Sequence, residues 1–372
     1  MTRVYVGMSG GVDSSVTAAL LVEQGYDVTG VYMKNWSQDL PGLKCPWADD
    51  LADAKRVAVQ LGIDFKVFDF EQQYRDKVVQ YMIDEYKLGR TPNPDIMCNQ
   101  EVKFKLFLDT ALEDGADMIA TGHYARVDHG EPVRATPQNR VFPIGIGDGG
   151  NDFEEQHAHA HLLLAADEAK DQTYFLYRVT GEALQKTLFP LGDYAKAQVR
   201  DMARTRGLWT ATKKESMGVC FVGQVGMRDF LAQYVQSQPG DIVDTTTNKA
   251  IGRHDGAIFY TLGQRHGLEV GGGLPYYVVG KNMDKNEVYV SQNMNDGAMW
   301  KNELTLTGLH WINKPAANGE PLRARLRHRG KLLPASLSGA TLQLVEPERA
   351  AAAGQSAVLY RGNECLGGGI VA

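Results

Sequence analysis

The 372-residue sequence is long for a single hydrophobic core, and its length predicts two or three domains. Hydrophobic residues make up 43% of the chain and charged residues 23%, a composition that argues against disordered and fibrous architectures. The formal net charge of -6 argues against a protein that is basic throughout, although phosphate binding depends on where the charges lie.

The amino-terminal part of the chain predicts alternating strands and helices. Short β-rich runs begin near Val4, Val28, Phe65 and Asp117, and each of the first three is followed by apolar residues at helical spacing. This alternation predicts right-handed βαβ units, so we expect an α/β fold with a doubly wound parallel sheet. Ligands of such sheets bind beyond the carboxyl ends of the strands.

The stretch from Asp128 to His161 has little periodicity and predicts a surface insertion. His157, His159 and His161 share a spacing that could in principle bind a metal, but we favour a polar insert and expect no protein metal centre. No apolar run is long enough to span a bilayer, and no signal peptide is apparent. We therefore expect a cytoplasmic protein with no membrane partner.

The later part of the chain predicts one more helix and then only strands. Asp193 is predicted to cap a helix that runs to about Arg206 and ends at Gly207. Beyond Gly240, short β-rich runs separated by Gly, Asn and Pro predict a small barrel or sandwich at the carboxyl terminus. The domains expected from these patterns are a catalytic domain at 1–212, a central domain at 213–295 and a β-domain at 296–372.

The turn after the first strand is rich in glycine and lies just before a helix. Glycines at such a turn let backbone N–H groups close on an anion at the positive end of the helix dipole. The turn is neither a Walker A loop nor Gly-x-Gly-x-x-Gly. Its Ser-Gly-Gly-x-Asp-Ser pattern resembles the PP-loop of ATP pyrophosphatases, which implies cleavage of ATP to AMP with ATP and Mg²⁺ as cofactors. The residues expected to bind nucleotide here are Gly7, Met8, Ser9, Gly10, Gly11, Val12, Asp13 and Ser14.

The four cysteines lie far apart and outside any C-x-x-C spacing, so neither a disulfide scaffold nor a zinc knuckle is predicted. Two prolines before Cys98 predict a non-helical loop that ends just before a helix at about Val102, where a thiolate would be favoured. Two lysines precede Cys220. Since a lone cysteine is more often a small buried hydrophobe, these contexts alone assign no chemistry; Cys45 and Cys365 are interpreted as structural.

Four motifs that follow one another along the chain resemble those of the tRNA-specific 2-thiouridylase family. They are Arg90 to Asn99, Gly122 to Arg126, Lys170 to Leu176 and Ser216 to Phe221. The resemblance covers nearly the whole chain. It implies ATP-dependent transfer of sulfur to carbon 2 of the wobble uridine, position 34, of tRNA. It also implies an adenine nucleotide alpha hydrolase-like catalytic domain, a small central domain and a carboxyl-terminal tRNA-binding β-barrel.

The same resemblance implies roles for individual residues. Cys220 would carry a persulfide, and Cys98 would be the catalytic nucleophile, able to form a disulfide with Cys220. Met33 and Gly122 would line the adenine pocket. Asp95 would contact the target base, and we add the hypothesis that it transfers a proton. The residues implied to contact tRNA are Asn93, Pro94, Asp95, His123, Lys170, Asp171, Gln172, Arg327, His328 and Gln355. For His123, a locally satisfied histidine at a strand end stays an alternative.

Two basic stretches interrupt the acidic chain, one from Lys196 to Lys214 and one from Pro321 to Lys331. In the second, Arg323, Arg325 and Arg327 alternate with apolar residues. Period-two alternation predicts that the arginines lie on one outer face, where they would suit successive phosphates. A solvated strand face is the alternative.

Two other functions remain open on the sequence. One is an amide- or guanidine-forming ligase of the same superfamily, which would not require both cysteines; the other is a non-catalytic nucleotide- or RNA-binding module. We expect a monomer that binds one tRNA and takes sulfur from a persulfide-donating sulfurtransferase or sulfur-relay protein. The identity of that donor, the choice of tRNAs and the final form of the sulfur are not specified by these patterns.

Overall fold

The computed structural model describes residues 1–39, 45–130, 160–214, 226–271, 273–293, 295–349 and 351–372. Within them the strands form three sheets of five, four and eight strands. No helix in these ranges is both long and apolar enough to cross a membrane.

The five-stranded sheet is parallel and lies in the amino-terminal part of the chain. Its strands are β1 (Arg3–Gly7), β2 (Asp27–Lys34), β3 (Asp64–Asp69), β4 (Met118–Ala120) and β7 (Thr187–Leu188), in the order β3-β2-β1-β4-β7. Every strand pair in it is parallel. The predicted doubly wound parallel sheet is therefore confirmed. Val4 and Val6 are fully buried and Tyr5 is 2% exposed, as expected for a strand covered on both faces.

Helices cover both faces of this sheet. They are α1 (Val12–Glu23), α2 (Trp47–Leu61), α3 (Glu71–Tyr74), α4 (Gln80–Lys87), α5 (Pro94–Cys98), α6 (Phe107–Glu113), α7 (Thr173–Leu176), α8 (Gly181–Gln185) and α9 (Lys196–Thr205), with π-helical segments at Arg75–Val79 and Asn99–Leu106. Val4 and Val6 pack with Ala54 of α2, whereas Tyr5 packs in the opposite cluster with Phe107 of α6. The alternation of side chains along β1 thus divides the core between the two faces.

Two helices begin elsewhere than the sequence predicts. The loop expected up to Val102 is wrong, because a helix already begins at Pro94. Asn93 is the N-cap, and its side-chain oxygen accepts the N–H of Asp95 at 3.1 Å. Proline suits the first helical position because its missing N–H would have no partner there. Likewise α9 begins after Ala195, so the N-cap predicted at Asp193 is wrong.

The other two sheets lie in the second half of the chain. Helix α10 (Met227–Leu231) precedes a four-stranded sheet of β8 (Gly240–Asp244), β9 (Lys249–His254), β10 (Tyr277–Asn282) and β11 (Glu287–Ser291), in the order β10-β11-β8-β9. The third sheet contains β12 (Trp300–Trp311), β13 (Pro321–Arg325), β14 (Leu333–Ser338), β15 (Thr341–Arg349), β16 (Ser356–Arg361) and β17 (Glu364–Val371). Since β12 pairs with both β15 and β17, these strands close into an antiparallel barrel, as predicted.

The two ends of the predicted insertion are strands of the same third sheet. Strand β5 (Arg126–Asp128) pairs antiparallel with β6 (His161–Leu163), and β6 pairs with β17 of the barrel. This hairpin therefore joins the catalytic domain to the barrel, a connection that the sequence patterns do not predict. Residues 131–159 between the two strands, which include His157 and His159, lie outside the described residues.

Candidate functional site

The glycine loop connects β1 to α1 through a turn that requires glycine at position 10. Gly10 has a φ of +69°, and a Cβ there would lie 2.3 Å from the carbonyl oxygen of Asp50, so a side chain does not fit. Gly11 caps α1 without any side-chain hydrogen bond to the helix. The first N–H groups of α1 are therefore left for an external acceptor, and the positive end of the helix dipole lies at the same place.

Asp13 in the first turn of α1 is the charged centre of the loop. Its two carboxylate oxygens accept hydrogen bonds from the Lys196 ammonium at 2.7 and 2.8 Å, and Oδ1 also accepts one from the Tyr124 hydroxyl at 2.9 Å. The Ser14 hydroxyl accepts the N–H of Ser9 at 3.1 Å, which closes the loop on itself. The loop is thus held by partners from α9 and from the end of β4.

Met33 and Gly122, which the resemblance assigns to the adenine pocket, lie against this loop. A Cβ at Gly7 would lie 2.9 Å from the Met33 methyl carbon, and a Cβ at Gly122 would lie 2.9 Å from the Ser14 nitrogen. Met8 and Val12 are 1% and 5% exposed, so only their backbones are available to a ligand. The carboxyl ends of β1, β2 and β4 thus meet where ligands of parallel sheets bind.

Cys98 ends α5 and is 3% exposed. The neighbouring Asn99 donates its side-chain amide to the Phe175 carbonyl at 2.9 Å, which fixes this helix on α7. The helical chain continues from Cys98 to Phe107, whose ring would lie 3.6 Å from a Cβ at Gly7. The backbone angles of Phe104 are not helical, so the chain is kinked between Cys98 and Phe107. A kinked helical stretch therefore connects the thiol to the residue that packs on the glycine loop.

Asp95 lies one turn before Cys98 and is half-buried. Burial raises the pKa of its carboxyl group above the usual value, and the Lys103 ammonium partly opposes that change. A carboxyl group with a raised pKa holds its proton more readily than an exposed one. Asp95 is therefore suited to the proton transfer predicted for it.

An Asp95→Asn variant is expected to gain resistance to urea over the wild type as pH rises. Because the pKa of Asp95 is raised in the folded state, its contribution to stability is present below pH 3.8 and is lost as pH rises through the folded pKa. Asparagine carries no charge and avoids this loss. Urea midpoints measured for both proteins between pH 4 and pH 8 test this; a difference that does not change with pH contradicts it.

The loop before α5 is held by the barrel and by the central domain. Thr91 donates its N–H to the Ala353 carbonyl at 2.8 Å and accepts the Gln355 side-chain amide at 2.6 Å. Its hydroxyl lies 3.2 Å from that of Thr261 in the central part of the chain. Gln355, which the resemblance assigns to tRNA contact, thus bonds through its side chain to the loop that leads into Asn93, Pro94 and Asp95.

The motif from Lys170 to Gln172 lies at the junction of the catalytic domain and the barrel. Asp171 is 2% exposed and its carboxylate forms an ion pair with Arg325 at 2.6 Å. The Gln172 side-chain oxygen accepts the N–H of Tyr124 at 2.9 Å. Lys170 is half-buried. The side chains of Asp171 and Gln172 therefore bond within the protein.

His123 lies at the end of β4 in an aromatic setting. Its ring nitrogen Nδ1 is 2.7 Å from the Thr121 hydroxyl, and its ring lies 5.7 Å from Phe104 and 6.0 Å from Phe189. Burial lowers the pKa of His123 well below its usual value, with Lys103 acting in the same direction. The imidazole is therefore neutral at neutral pH, and this placement matches the alternative of a locally satisfied histidine.

The prediction that Arg323, Arg325 and Arg327 all lie on the outer face is wrong for Arg325. Leu322, Ala324 and Leu326 do face the barrel core, but Arg325 is 7% exposed and pairs with Asp171 instead of facing solvent. Its charge is turned inward because a buried carboxylate lies there. Arg323 donates to the Gly362 carbonyl, so it too bonds within the barrel.

The exposed cations lie just after β13. Arg327 is exposed and pairs with Glu348 at 3.0 Å, and the neighbouring His328 ring lies 4.5 Å from Phe175. Burial first, and then the guanidinium groups of Arg329 and Arg325, lower the pKa of His328. Arg327, Arg329, Lys331 and Arg349 line a cavity of about 260 Å³. The turn that carries Arg327, Arg329 and Lys331, here called the basic turn, is therefore the charged face of the barrel in place of the predicted arginine row.

Replacing Arg327, Arg329 and Lys331 together by glutamine is expected to weaken tRNA binding and to flatten its dependence on salt. Removing one cation from a phosphate reduces the slope of log affinity against log salt by about 0.7 to 0.9, so the slope of the triple variant should fall by about 2 to 3. Filter binding at several salt concentrations measures both quantities.

A control with Lys55, Lys249 and Lys285 changed to glutamine removes the same charge from exposed positions elsewhere. Its slope should stay close to that of the wild type. Equal slopes for the two triple variants would mean that the basic turn has no special part in RNA binding.

The remaining predicted residues fall into two groups. Cys45 and Cys365 are half-buried and buried, and burial raises the pKa of both thiols, which suits the predicted structural role. Cys220 and its whole motif lie outside the described residues, so its persulfide and its disulfide with Cys98 stay predictions. Within the described ranges no cluster of His, Cys, Asp or Glu forms a metal site.

Sequence reasoning missed the partners of Asp13. Lys196 is counted only as part of a basic run, and Tyr124 only as part of a motif. One signal was present, because a lysine at the first position of a helix is opposed by the helix dipole.

Three family models match successive parts of the chain. Residues 2–224 match the family described as tRNA methyl transferase HUP domain. Residues 228–292 match the tRNA methyl transferase PRC-barrel domain, and residues 301–371 match the aminomethyltransferase beta-barrel domain.

Curated relatives are similar over their full length. The tRNA-specific 2-thiouridylase MnmA of Bacillus licheniformis is 45% identical over 100% of this chain and 95% of that protein. The protein of the same name from Bacillus subtilis is 44% identical, with the same coverage. A solved 4-thiouridine synthetase in complex with RNA and ATP is more distant, with a TM-score of 0.37 and 16% identity over 63% of this chain and 50% of that chain.

Proposed function

Because this chain belongs to the tRNA-specific 2-thiouridylase family, we propose that its glycine loop and the helix carrying Cys98 act together in the thiolation of tRNA. The chain is a sulfurtransferase that converts a uridine of tRNA to 2-thiouridine in an ATP-dependent reaction. One observation supports a joint action of the loop and the Cys98 helix. Phe107, which follows Cys98 on the same helical stretch, packs against Gly7 of the loop. The wobble uridine, position 34, is the proposed target.

The loop suits the phosphates of ATP. Gly10 leaves no space for a side chain, and the uncapped start of α1 presents N–H donors to an anion. Gly122 and Met33 are proposed to lie beside the adenine. Mg²⁺, when bound with ATP, would neutralise charge on the phosphates, and the Asp13 carboxylate is the oxygen ligand that the loop offers to it.

Activation and sulfur transfer follow in two steps. First, oxygen O2 of the uracil attacks the α-phosphorus of ATP, the bond to the bridging oxygen breaks, and pyrophosphate leaves with the electron pair. The uracil oxygen then leaves as AMP when sulfur attacks carbon 2. Asp95, whose raised pKa makes its carboxylate a stronger proton acceptor than an exposed one, is proposed to take the proton that the uracil ring loses.

The sulfur is proposed to come from a persulfide on Cys220. Its terminal sulfur bonds to carbon 2, the Cys98 thiolate attacks the inner sulfur, and the sulfur–sulfur bond breaks with its electron pair on the new thiocarbonyl sulfur. A Cys98–Cys220 disulfide remains, and a thiol reductant must supply two electrons before the next turnover. A persulfide-donating sulfurtransferase or sulfur-relay protein is the proposed partner.

The tRNA is proposed to reach this site across the barrel. Asn93 and Pro94, beside Asp95, would contact the flipped base, and Arg327 and His328 would contact the RNA backbone. The surface between the base contacts and the backbone contacts would be shaped, chiefly through the internal bonds described above, by Lys170, Asp171, Gln172, His123 and Gln355. The protein is proposed to act as a monomer in the cytoplasm, where its tRNA substrate is found.

A direct assay tests this function. The purified protein is incubated with ATP, Mg²⁺, unmodified tRNA and a persulfide donor, and pyrophosphate release and thiolated tRNA on mercury-containing gels are measured together. Both products should appear only when tRNA and ATP are present. Pyrophosphate release that does not depend on tRNA, or tRNA that stays unthiolated, would falsify the proposal.

A further inference from the structure

Lys196 occupies an unusual position for a cation. It is the first residue of α9, its side chain is 12% exposed, and its ammonium contacts both oxygens of Asp13. The ring of Tyr124 lies 5.7 Å from the same ammonium. A lysine at a helix start is opposed by the helix dipole, and burying its charge has a desolvation cost. Helix formation alone therefore does not explain why a lysine stands here.

Two helix starts and one ammonium meet at this point. Helices α1 and α9 pack side by side through Val16 and Val199, so that Asp13 at the start of one touches Lys196 at the start of the other. The Lys196 N–H donates to the Asp167 carboxylate at 2.9 Å, which fixes the start of α9. The positive ends of two helices and an ammonium thus surround a single carboxylate, an excess of positive potential that suits a phosphate chain.

We propose that Lys196 is a catalytic residue of the adenylation step. This inference rests on the proposed function. Before ATP enters, Asp13 holds the ammonium beside the loop. With ATP in place, the ammonium moves onto the phosphate chain, and the Tyr124 hydroxyl continues to donate to Asp13. As the bond from the α-phosphorus to the bridging oxygen breaks, Lys196 stays protonated and stabilises the negative charge that develops on the departing pyrophosphate.

Variants of Lys196 test the proposal on the whole protein with tRNA and ATP. Lys196→Met removes the charge and keeps most of the side-chain length, and its kcat for tRNA-dependent pyrophosphate release should fall by roughly 10² to 10³-fold. The dissociation constant for tRNA should not change. Lys196→Arg keeps the charge and should retain more activity than Lys196→Met. Lys196→Gln, which can still donate to Asp13, keeps the test valid if Lys196→Met does not fold.

A matched control separates this role from general effects of α9. Arg204→Met removes an exposed cation from the same helix and should release pyrophosphate at the wild-type rate. The proposal is overturned if folded Lys196→Met or Lys196→Gln releases pyrophosphate at the wild-type rate, or if Lys196→Arg is as inactive as Lys196→Met. A wild-type protein that shows no tRNA-dependent release refutes the proposed function instead, before any variant is measured.

Discussion

A Cys98→Ala variant is expected to release pyrophosphate with tRNA but to leave the tRNA without sulfur. A kinked helical stretch separates Cys98 from Phe107, the residue that packs on the glycine loop, so removal of its thiol leaves the nucleotide site intact. Thiolation should fall by roughly 10³-fold or more, as for other nucleophiles whose removal disables the chemical step. Pyrophosphate assays and mercury gels on the same samples separate the two half-reactions.

The stability of this variant should change little. Removing one buried sulfur atom costs about 1 kcal/mol, which a protein of this size tolerates. Cys365→Ala is the matched control, because Cys365 is also buried, at 1% exposure, and has no proposed part in the chemistry. It should thiolate tRNA at the wild-type rate. If Cys98→Ala thiolates tRNA as well as this control does, the thiol mechanism fails.

An Arg325→Met variant is expected to be the least stable of the single substitutions considered. It would leave the Asp171 carboxylate, 2% exposed, without its partner at 2.6 Å. The Thr173 hydroxyl and the Ala165 N–H would still donate to that carboxylate, at 2.8 and 3.0 Å. Breaking a buried ion pair on one side costs about 3 to 5 kcal/mol, because the remaining charge stays buried. Urea unfolding followed by fluorescence measures this loss.

Two further variants show whether the lost charge of Arg325 causes the expected loss of stability. Asp171→Asn combined with Arg325→Met removes both charges and should recover much of the stability that Arg325→Met alone removes. Arg361→Met breaks the exposed pair with Glu320 and should cost less than about 1 kcal/mol. A double variant no more stable than Arg325→Met would show that the side-chain volume of Arg325 matters and its charge does not.

The ion pair between Asp171 and Arg325 also shows which kind of contact could not be predicted from the sequence. Alternation along β13 correctly assigned Leu322 and Ala324 to the core, but the same alternation placed Arg325 outside. Its partner lies 154 positions earlier in the chain. A local pattern carries no information about a contact of that separation, so an inward arginine cannot be told from an outward one.

Sequence patterns predicted correctly those features that depend on residues close together in the chain. The position of the glycine loop followed from the strand–turn–helix pattern, since ligands of a parallel sheet bind at the carboxyl ends of its strands, whereas Met33 and Gly122 were assigned only through the family resemblance. The contact between Asp13 and Lys196 was not predicted, since it joins residues 183 positions apart. The strands β5 and β6 were also missed, because each has only three residues, and they pair with each other and, through β6, with β17 of the barrel.

The bonds of Thr91 have a consequence for the order of events during synthesis of the chain. The loop that leads to Cys98 is fastened by Ala353 and Gln355, and Gln355 is made 264 positions after Thr91. The nucleotide-binding part therefore emerges from the ribosome long before the residues that hold the loop leading to Cys98 have been made. The nascent polypeptide meets ATP early, yet it becomes competent to modify RNA only after translation has reached the closing strands of the barrel.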